Sequence, residues 1–379
     1  MGDYVRQLPE GSGDLARRPS AAARFHIDVP LLLLLLLLTA YGLVVLYSAS
    51  GQDMGAVVRQ GRYFLVGYVV MIAASQLSLA TYMRWAPWFY LAGVALLVAV
   101  IFVGVGAKGA QRWLSLGGFR FQPSEIMKLA VPMTVGWYLS ERILPPRFKY
   151  IAASLIIVAI PAVLILRQPD LGTALLIAVS GMFVVFMAGI GWRYIVGAVV
   201  AAFISAWPVW IYVLKDYQKQ RILTLLNPES DKLGAGWNIM QSKTAIGSGG
   251  WDGKGWLGST QSRLDFLPES HTDFIIAVLA EEFGLRGVLM LLGIYLLILL
   301  RGFWIGLYAQ TSFGRMLAGS LTLTFFVYIF VNMGMVAGLL PVVGVPLPLV
   351  SAGGTSVVTL MAGFGLLMAV STERKHVVR

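Results

Sequence analysis

Ten runs of apolar residues constrain the fold of this chain more than any other feature of its sequence. A membrane-spanning helix needs about 20 predominantly apolar residues, and the runs approach or exceed this length. They lie at 29–47, 60–77, 87–105, 122–140, 150–166, 171–189, 195–214, 274–300, 316–340 and 350–370. Only 12% of the 379 residues are charged, against about 25% in soluble domains. The sequence therefore predicts an all-α polytopic membrane protein with ten transmembrane helices.

The distribution of Lys and Arg predicts how these helices are oriented. An even number of spans places both termini on one side, which carries 14 Lys and Arg against 6 in the short connections opposite. Basic residues favour the cytoplasmic side, so both termini are expected there. The long loop 215–272, between helices 7 and 8, is then extracytoplasmic. We expect a disordered cytoplasmic tail over 1–24, a membrane domain over 25–373 and a cytoplasmic tail over 374–379.

Composition and missing motifs exclude several classes of function. The net charge of +11 follows the spans rather than a compact basic stripe, so we predict no nucleic-acid partner. The chain has no Cys, and its three His residues lie far apart at His26, His271 and His376, which argues against zinc. No P-loop or dinucleotide-binding turn is present, so we expect no bound nucleotide. We also expect no haem. A substrate must then arrive already activated.

The long loop contains eight glycines and three tryptophans, in stretches such as GAGW, GSGGW and GKGW. Glycine permits close backbone approach to a ligand, and tryptophan suits a membrane interface. Segment 235–246 is predicted to form a short interfacial helix with Trp237, Met240 and Ile246 toward lipid. The alternative is that the loop is a structural cap.

The fourth apolar run begins with charged residues, and burying a charge in hydrocarbon costs free energy. Glu125 and Lys128 are three residues apart and share a helix face, so an intrahelical ion pair is one interpretation. The other is that Arg112, Trp113 and Arg120, just upstream, form with this pair a cradle for a phosphate, since Arg offers a fork of donors.

A tight turn between the fifth and sixth runs contains Asp170, in the sequence RQPDLGT. This residue either caps the sixth helix or shapes a polar cavity with Arg167 and Lys128. The sequence leaves both interpretations open.

The long loop ends in FLPESHTDF, where Asp273 is the last acid before an apolar run and His271 precedes it by two residues. Acids next to spans are functional candidates, because an unpaired charge in hydrocarbon costs several kcal/mol. The alternative is that Asp273 caps the eighth helix. Deeper in that run, Glu282 and Arg286 have the spacing of a structural ion pair.

The connection before the last run, residues 341–354, holds three prolines and three glycines and cannot be a straight helix. Irregular backbone at membrane depth occurs where it is buried in protein or lines a cavity. Ser351 and Thr355 are therefore candidate donors to a ligand, and packing against neighbouring helices is the alternative.

These segments resemble the SEDS family (shape, elongation, division, sporulation) of bacterial membrane proteins over nearly the whole chain from about residue 25. The similar stretches include KGAQRWL, FQPSE, QPDLGT, NPESDKLGAGW, HTDF, AEEFG and PVVGVPLPLVS. The last of these is closer to the elongation branch than to the division branch. Ala352 departs from the family, which commonly has tyrosine there.

The resemblance implies a peptidoglycan glycosyltransferase that polymerises lipid II at the outer face of the cytoplasmic (inner) membrane during cell elongation. It implies as partners a class B penicillin-binding protein transpeptidase, other elongation-complex proteins and membrane lipids. It maps an essential loop aspartate onto Asp273 and cavity residues onto Glu125, Lys128 and Asp170. The Arg and Trp after KGAQ correspond to Arg112 and Trp113.

A glycosyl transfer would use Asp273 as general base or as ligand of a divalent cation, Mg or Mn. Cationic side chains would stabilise the leaving diphosphate. The candidates for this role are Arg112, Lys128, Lys243 and Arg263. Further binding or cavity candidates are Trp113, Arg120, Gln122, Glu125, Asp170, Gln241, His271, Ser351 and Thr355. The rival function is a lipid II flippase, and a weaker one is a scaffold for the transpeptidase.

Overall fold

A computed structural model describes residues 26–107, 110–116, 119–231, 234–260, 267 and 269–373. The predicted tails, 1–24 and 374–379, lie outside these residues. The α-helices in the described part are α1 (Val29–Ala49), α2 (Met54–Ser75), α3 (Leu79–Val103), α4 (Pro123–Ser140), α5 (Phe148–Arg167), α6 (Leu171–Met187), α7 (Trp192–Pro208), α8 (Asp216–Leu226), α9 (Ala235–Gly249), α10 (Ile275–Leu307), α11 (Ser312–Val336) and α12 (Thr355–Ser371). A π-helical turn, Val209–Val213, extends α7, and a 3₁₀ turn, Pro228–Ser230, follows α8.

Each of the ten predicted apolar runs coincides with one of these helices. Seven of the helices in the described part are long and apolar enough to cross a membrane: α1, α2, α3, α5, α7 with its extension, α10 and α11. Helices α6 and α12 are apolar but shorter, and α4 covers the remaining run. The chain is therefore a predominantly helical membrane protein, in which helices satisfy their own backbone hydrogen bonds.

A small β-sheet departs from the all-α prediction. Three strands, β1 (Val105–Ala107), β2 (Ala110–Leu116) and β3 (Phe119–Phe121), form an antiparallel meander between α3 and α4. Strands this short do not produce a clear alternating pattern, so the sequence predicts only a connection there. The sheet carries Arg112 and Trp113 toward the start of α4.

Helix α9 confirms the predicted helix in the long loop and extends it to Gly249. Its buried face, which includes Ile239, Ser242 and Ala245, packs against α10. The Ser242 hydroxyl also donates to the backbone oxygen of Val336 at the end of α11, over 2.8 Å. The helix is thus fixed to the bundle, while Ile246 on its other face is exposed.

Two of the loop glycines, Gly249 and Gly253, closely approach the backbone of α10. Gly284 interrupts α10 with a φ of 62°, which leaves backbone groups there without helical partners. The segment 250–255 supplies them: Lys254 N–H donates to the oxygen of Glu281, and Leu285 N–H donates to that of Gly250. A side chain at Gly253 would overlap the backbone of α10, so glycine is required for this contact.

The prediction of an ion pair between Glu282 and Arg286 is wrong. Arg286 pairs instead with Asp252 in the loop. Because Gly284 breaks the helix between them, Glu282 and Arg286 no longer have the geometry of a continuous turn. The carboxylate of Glu282 accepts hydrogen bonds from the Ser48 hydroxyl at the end of α1 and from Ser259 N–H.

The first and last described residues lie together at one end of the bundle. Asp28, the N-cap of α1, forms two hydrogen bonds with Arg301 of α10 and accepts another from Ser371 of α12. We call the opposite end of the bundle the distal end. The distal end contains the C-terminus of α1, where Ala49 accepts a hydrogen bond from Ser270.

Candidate functional site

Asp273 lies at the distal end, in the turn that leads into α10. It is half-buried, and its carboxylate oxygen Oδ2 is 3.5 Å from the position that a Cβ of Gly344 would occupy. The helix begins at Ile275 with Phe274 at its N-cap, so Asp273 precedes the cap position. The short distance to Gly344 shows that the carboxylate faces the irregular segment 341–354. Its position outside the cap agrees with a role other than helix capping.

Asn332 fixes the backbone on which Asp273 sits. Its amide nitrogen Nδ2 donates to the backbone oxygens of Asp273 and Val345, over 2.8 Å in each case. Asn332 is fully buried in α11. A single amide thus joins the Asp273 turn to the irregular segment.

Ser351 makes a second connection between these segments, which favours the packing alternative over donation to a ligand. Its hydroxyl donates to the oxygen of Thr272 and accepts from Leu347 N–H. Because a serine hydroxyl has one proton, that proton is already engaged. Ala352 N–H donates to the oxygen of His271 over 2.9 Å, which adds a third connection. These contacts support a structural role for Ser351.

A second group of the predicted residues surrounds Asp170. One carboxylate oxygen accepts from Thr173 N–H over 3.2 Å, which confirms the capping interpretation. The other accepts from Gln122 Nε2 over 3.1 Å and lies 3.7 Å from Arg112. Arg112 also donates to the backbone oxygens of Gln168 and Pro169. The β-sheet is thus attached to the start of α6.

The third group is the pair of Glu125 and Lys128 near the start of α4, which forms as predicted with 2.7 Å between Nζ and Oε1. Its side chains are largely buried, with 9% and 12% of their surfaces exposed. The ammonium lies 5.3 Å from the ring centre of Tyr328 on α11. This contact joins α4 to α11 beside the site.

The three groups lie next to one another at the distal end. A Cβ at Gly172, beside Asp170, would lie 2.9 Å from the backbone oxygen of Val343. Tyr328 and Val345 belong to one buried cluster. Asp170, the Glu125–Lys128 pair and Asp273 therefore all adjoin the segment 341–354.

The remaining predicted residues are less closely connected to this arrangement. His271 and Lys243 are exposed, and the Lys243 side chain crosses the backbone of Gly338 at the end of α11. Among these remaining candidates, Gln241, Trp113 and Thr355 are half-buried, and Thr355 is the first residue of α12. Arg120 is placed by its backbone in β3, opposite Ser115. Arg263 lies outside the described residues.

The described residues contain no group of three acidic or histidine side chains that could hold a metal by itself. A magnesium ion is often held by one or two carboxylates together with substrate phosphates. Asp273 fits that arrangement as a single carboxylate, so an ion bound there would also need phosphate oxygens of the substrate as ligands.

Two buried residues were missed by sequence reasoning, Asn332 and Tyr328. Both are polar-tipped side chains inside an apolar run, and such residues in a span are functional candidates. That signal was available for Asn332. It was weak for Tyr328, because the chain has 15 tyrosines.

Comparisons with known proteins agree with the architecture and its motifs. The family model for FtsW, RodA and SpoVE, described as cell cycle protein, matches residues 29–376. The chain is 53% identical over 354 residues to peptidoglycan glycosyltransferase MrdB of Escherichia coli K12, with 93% of this chain and 95% of that protein covered. It is 35% identical over 376 residues to probable peptidoglycan glycosyltransferase FtsW of Trichlorobacter lovleyi, with coverages of 96% and 97%.

Solved structures show the same fold. A chain from a study of how a peptidoglycan synthase complex coordinates polymerization and crosslinking superposes with a TM-score of 0.81 at 32% identity, covering 91% of this chain and 97% of that chain. The rod shape determining protein RodA of Thermus thermophilus gives a TM-score of 0.69 at 29% identity, with coverages of 92% and 97%. The chain therefore belongs to the FtsW/RodA/SpoVE family of cell cycle proteins.

Proposed function

We infer that this membrane protein is a peptidoglycan glycosyltransferase that polymerises lipid II during cell elongation. The observation that carries this function is the position of Asp273, whose half-buried carboxylate faces the segment 341–354. The basic residues Arg112 and Lys128 adjoin the same region. A carboxylate next to cations is what transfer of a sugar from a diphosphate requires.

The chemistry needs one base and a stabilised leaving group. The 4-hydroxyl oxygen of the acceptor sugar forms a bond to the anomeric carbon of the donor, and the bond from that carbon to the diphosphate oxygen breaks. The bonding electrons leave with the prenyl diphosphate. Asp273 takes the hydroxyl proton, and Lys128 and Arg112 offset the negative charge of the leaving group. The alternative role of Asp273 is to hold a divalent ion, which when bound would supply charge neutralisation to the leaving diphosphate.

We place the distal end at the extracytoplasmic face of the inner membrane, with ten spans and both termini in the cytoplasm. The excess of Lys and Arg on the terminal side supports this orientation. Ten spans require α4, α6 and α12 to cross the membrane with the seven longer helices. The activated lipid-linked sugar and the acceptor would then meet at the extracytoplasmic face of the membrane.

The partner we propose is a class B penicillin-binding protein transpeptidase within the elongation machinery. Support comes from the structural similarity to a chain of a peptidoglycan synthase complex in which polymerization and crosslinking are coordinated. A polymerase that releases glycan strands at the outer face needs a crosslinking enzyme on that side.

The function is tested by the change Asp273→Asn in the purified protein with its transpeptidase. Since a general base contributes about 10²–10⁴-fold, we expect at least a hundredfold less glycan ladder on gels of lipid II products. Asp252→Asn is the matched control, because Asp252 lies on the same loop in an exposed ion pair, and it should retain the ladder.

Near-normal ladders from folded Asp273→Asn would contradict the catalytic assignment. Movement of labelled lipid II across vesicles by the unmodified protein, without any ladder, would instead favour the flippase. The location of the three polar groups at one end of the bundle favours the polymerase, since a transporter needs a route that opens to both faces.

A further inference from the structure

Four basic side chains lie at the end of the bundle that contains Asp28, which we call the proximal end, and they have no place in the reaction described so far. They belong to the connection between α4 and α5, to the first turn of α5 and to the first turn of α7: Arg142, Arg147, Lys149 and Arg193. All four are exposed. We call these four residues the proximal basic surface.

Two contacts bring the start of α5 beside the start of α7. The rings of Phe148 and Tyr194 stack, with 5.9 Å between their centres. In the connection before α7, a Cβ at Gly189 would lie 3.9 Å from the side chain of Pro145. Segments 141–150 and 188–194 are far apart in sequence, but they therefore form one continuous surface.

The protein does not balance the positive charge of this surface. Glu141 is the only acid in segments 141–150 and 188–194. Within the part of the chain that the structure describes, none of the four basic side chains forms an ion pair. The Arg142 guanidinium lies instead beside the rings of Tyr138 and Tyr150, 5.5 and 5.3 Å from their centres. Cation–π contacts of this kind leave N–H donors available to an anion.

Two helices begin within the proximal basic surface, and a helix N-terminus already carries a positive partial charge. Helix α5 begins at Phe148 with Arg147 as its N-cap, and α7 begins at Trp192 with Gly191 as its N-cap. Neither helix has a side-chain hydrogen bond at its cap. Basic residues at such an end add like charge, whereas an anion is favoured there. An anion between the two helix starts would therefore offset a repulsion that the protein leaves in place.

The surroundings of this surface are apolar, because α5 and α7 are both long and apolar enough to cross a membrane. The side chains of Ile143, Phe148 and Trp192 are exposed beside the basic residues, and tryptophan favours the membrane interface. None of the residues of α7, all of which the structure describes, is buried. An anion bound here would lie at the edge of the lipid, which favours a lipid headgroup over a soluble anion.

We propose that the proximal basic surface binds the phosphate of an anionic phospholipid, of which phosphatidylglycerol is the simplest. The headgroup would contact Arg147 and Lys149 on α5 and Arg193 on α7. Its acyl chains would lie along the exposed apolar side chains of the same two helices. Because α7 has no buried residue, this bridge would fix the start of α7 to the bundle. Binding of the lipid requires neither Asp273 nor the reaction at the distal end.

The test removes one cation from each helix in the double variant Arg147→Gln with Arg193→Gln, which keeps the cation–π contacts of the surface. A basic residue near an anionic lipid surface contributes roughly fivefold to binding, so we expect at least a tenfold loss of affinity. Arg147→Lys with Arg193→Lys retains both charges and should stay within about threefold. The matched control is Arg84→Gln with Arg315→Gln, since both of these arginines are exposed near the proximal ends of α3 and α11.

The measurement is photolabelling of the full chain, in a neutral detergent, by phosphatidylglycerol that carries a diazirine near its headgroup. Labelling as a function of probe concentration gives the affinity, and mass spectrometry of the peptides gives the location. We expect saturable labelling of peptides that span 142–150 and 190–196. Unlabelled phosphatidylglycerol should displace the probe, whereas phosphatidylcholine with the same acyl chains and inorganic phosphate at the same concentration should not.

Unchanged affinity of the folded glutamine double variant would overturn the proposal, and so would an equal loss in the Arg84 and Arg315 control. Displacement by inorganic phosphate would overturn the assignment to a lipid, and displacement by phosphatidylcholine would overturn the requirement for an anionic headgroup. Thermal melting reports whether each variant is folded. If the double variant unfolds, the single changes Arg147→Gln and Arg193→Gln provide the same test, each with an expected loss of about fivefold.

Discussion

At the scale of single residues, Asn332 has the most connected role in the site. Its amide bonds the backbone oxygens of both Asp273 and Val345, which lie on segments far apart in sequence. An unsatisfied buried carbonyl costs about 1–3 kcal/mol. The position of the Asp273 carboxylate therefore depends on a side chain that does not itself need to touch the substrate.

We expect Asn332→Leu to lower polymerisation at least tenfold, because the Asp273 turn loses its attachment to segment 341–354. The measurement is kcat and KM for lipid II in the ladder assay, with kcat the more affected. Thr322→Val on the same helix is the control, since the Thr322 hydroxyl bonds only to the backbone of α11 itself. Equal losses in both variants would indicate a general weakening of α11.

The buried pair of Glu125 and Lys128 supports a second prediction at this scale. Lys128→Met leaves the Glu125 carboxylate without its ion-pair partner, and removing one partner of a buried pair costs about 3–5 kcal/mol. The double variant Glu125→Gln with Lys128→Met should recover most of the thermal stability without recovering polymerisation. Recovery of both properties would show that the pair is only structural.

At the scale of elements, the break in α10 determines how the long loop is attached. Gly284 has a φ of 62°, a conformation that side chains rarely adopt, and the loop backbone contacts it directly. The loop carries α9 and leads to the Asp273 turn, so this glycine helps to fix the attachment of both to α10.

Gly284→Ala is expected to destabilise the protein by more than about 2 kcal/mol, because the new methyl group overlaps Gly253 and the positive φ becomes unfavourable. Thermal unfolding in detergent measures the effect. Gly293→Ala, in the regular part of the same helix, should instead be neutral or stabilising by about 1 kcal/mol. A neutral Gly284→Ala would mean that α10 can straighten without loss.

At the scale of the whole molecule, Asp28 connects three helices at the end opposite the site. Burial by itself would raise the pKa of this carboxyl. Hydrogen bonds from Arg301, Ser371 and Leu31 N–H oppose that effect, and the pKa is held below its usual value of 3.8. A carboxyl whose pKa is lowered on folding stabilises the protein above its unfolded pKa, and this contribution disappears as the pH falls through the folded pKa.

We therefore expect Asp28→Asn to lower the unfolding temperature near pH 7, with a cost of about 3 kcal/mol for breaking the buried pair with Arg301. The difference between the variant and the unmodified protein should shrink as the pH falls below about 4, since protonated Asp28 resembles asparagine. Melting curves between pH 7 and pH 3 measure this. A difference that is independent of pH would contradict the role of the charge.

Much of the architecture and part of the site follow from the sequence alone. Apolar length predicts helices wherever the chain must satisfy its backbone in hydrocarbon, and each of the ten runs is helical. Local spacing also predicts the Glu125–Lys128 pair and the Asp170 cap, because both interactions join residues three apart. These features depend on neighbours in the chain and need no knowledge of how the helices pack.

Contacts between distant segments were decided only by the tertiary structure. The spacing of Glu282 and Arg286 predicts a pair, but the break at Gly284 redirects Arg286 to Asp252 and Glu282 to Ser48. Likewise, the Ser351 hydroxyl donates to the backbone oxygen of Thr272, and the Asn332 amide joins Asp273 to Val345. In a membrane interior nearly every helix face is apolar, so periodicity does not specify which faces meet. Packing brings the polar groups together, and their partners are then fixed by distance.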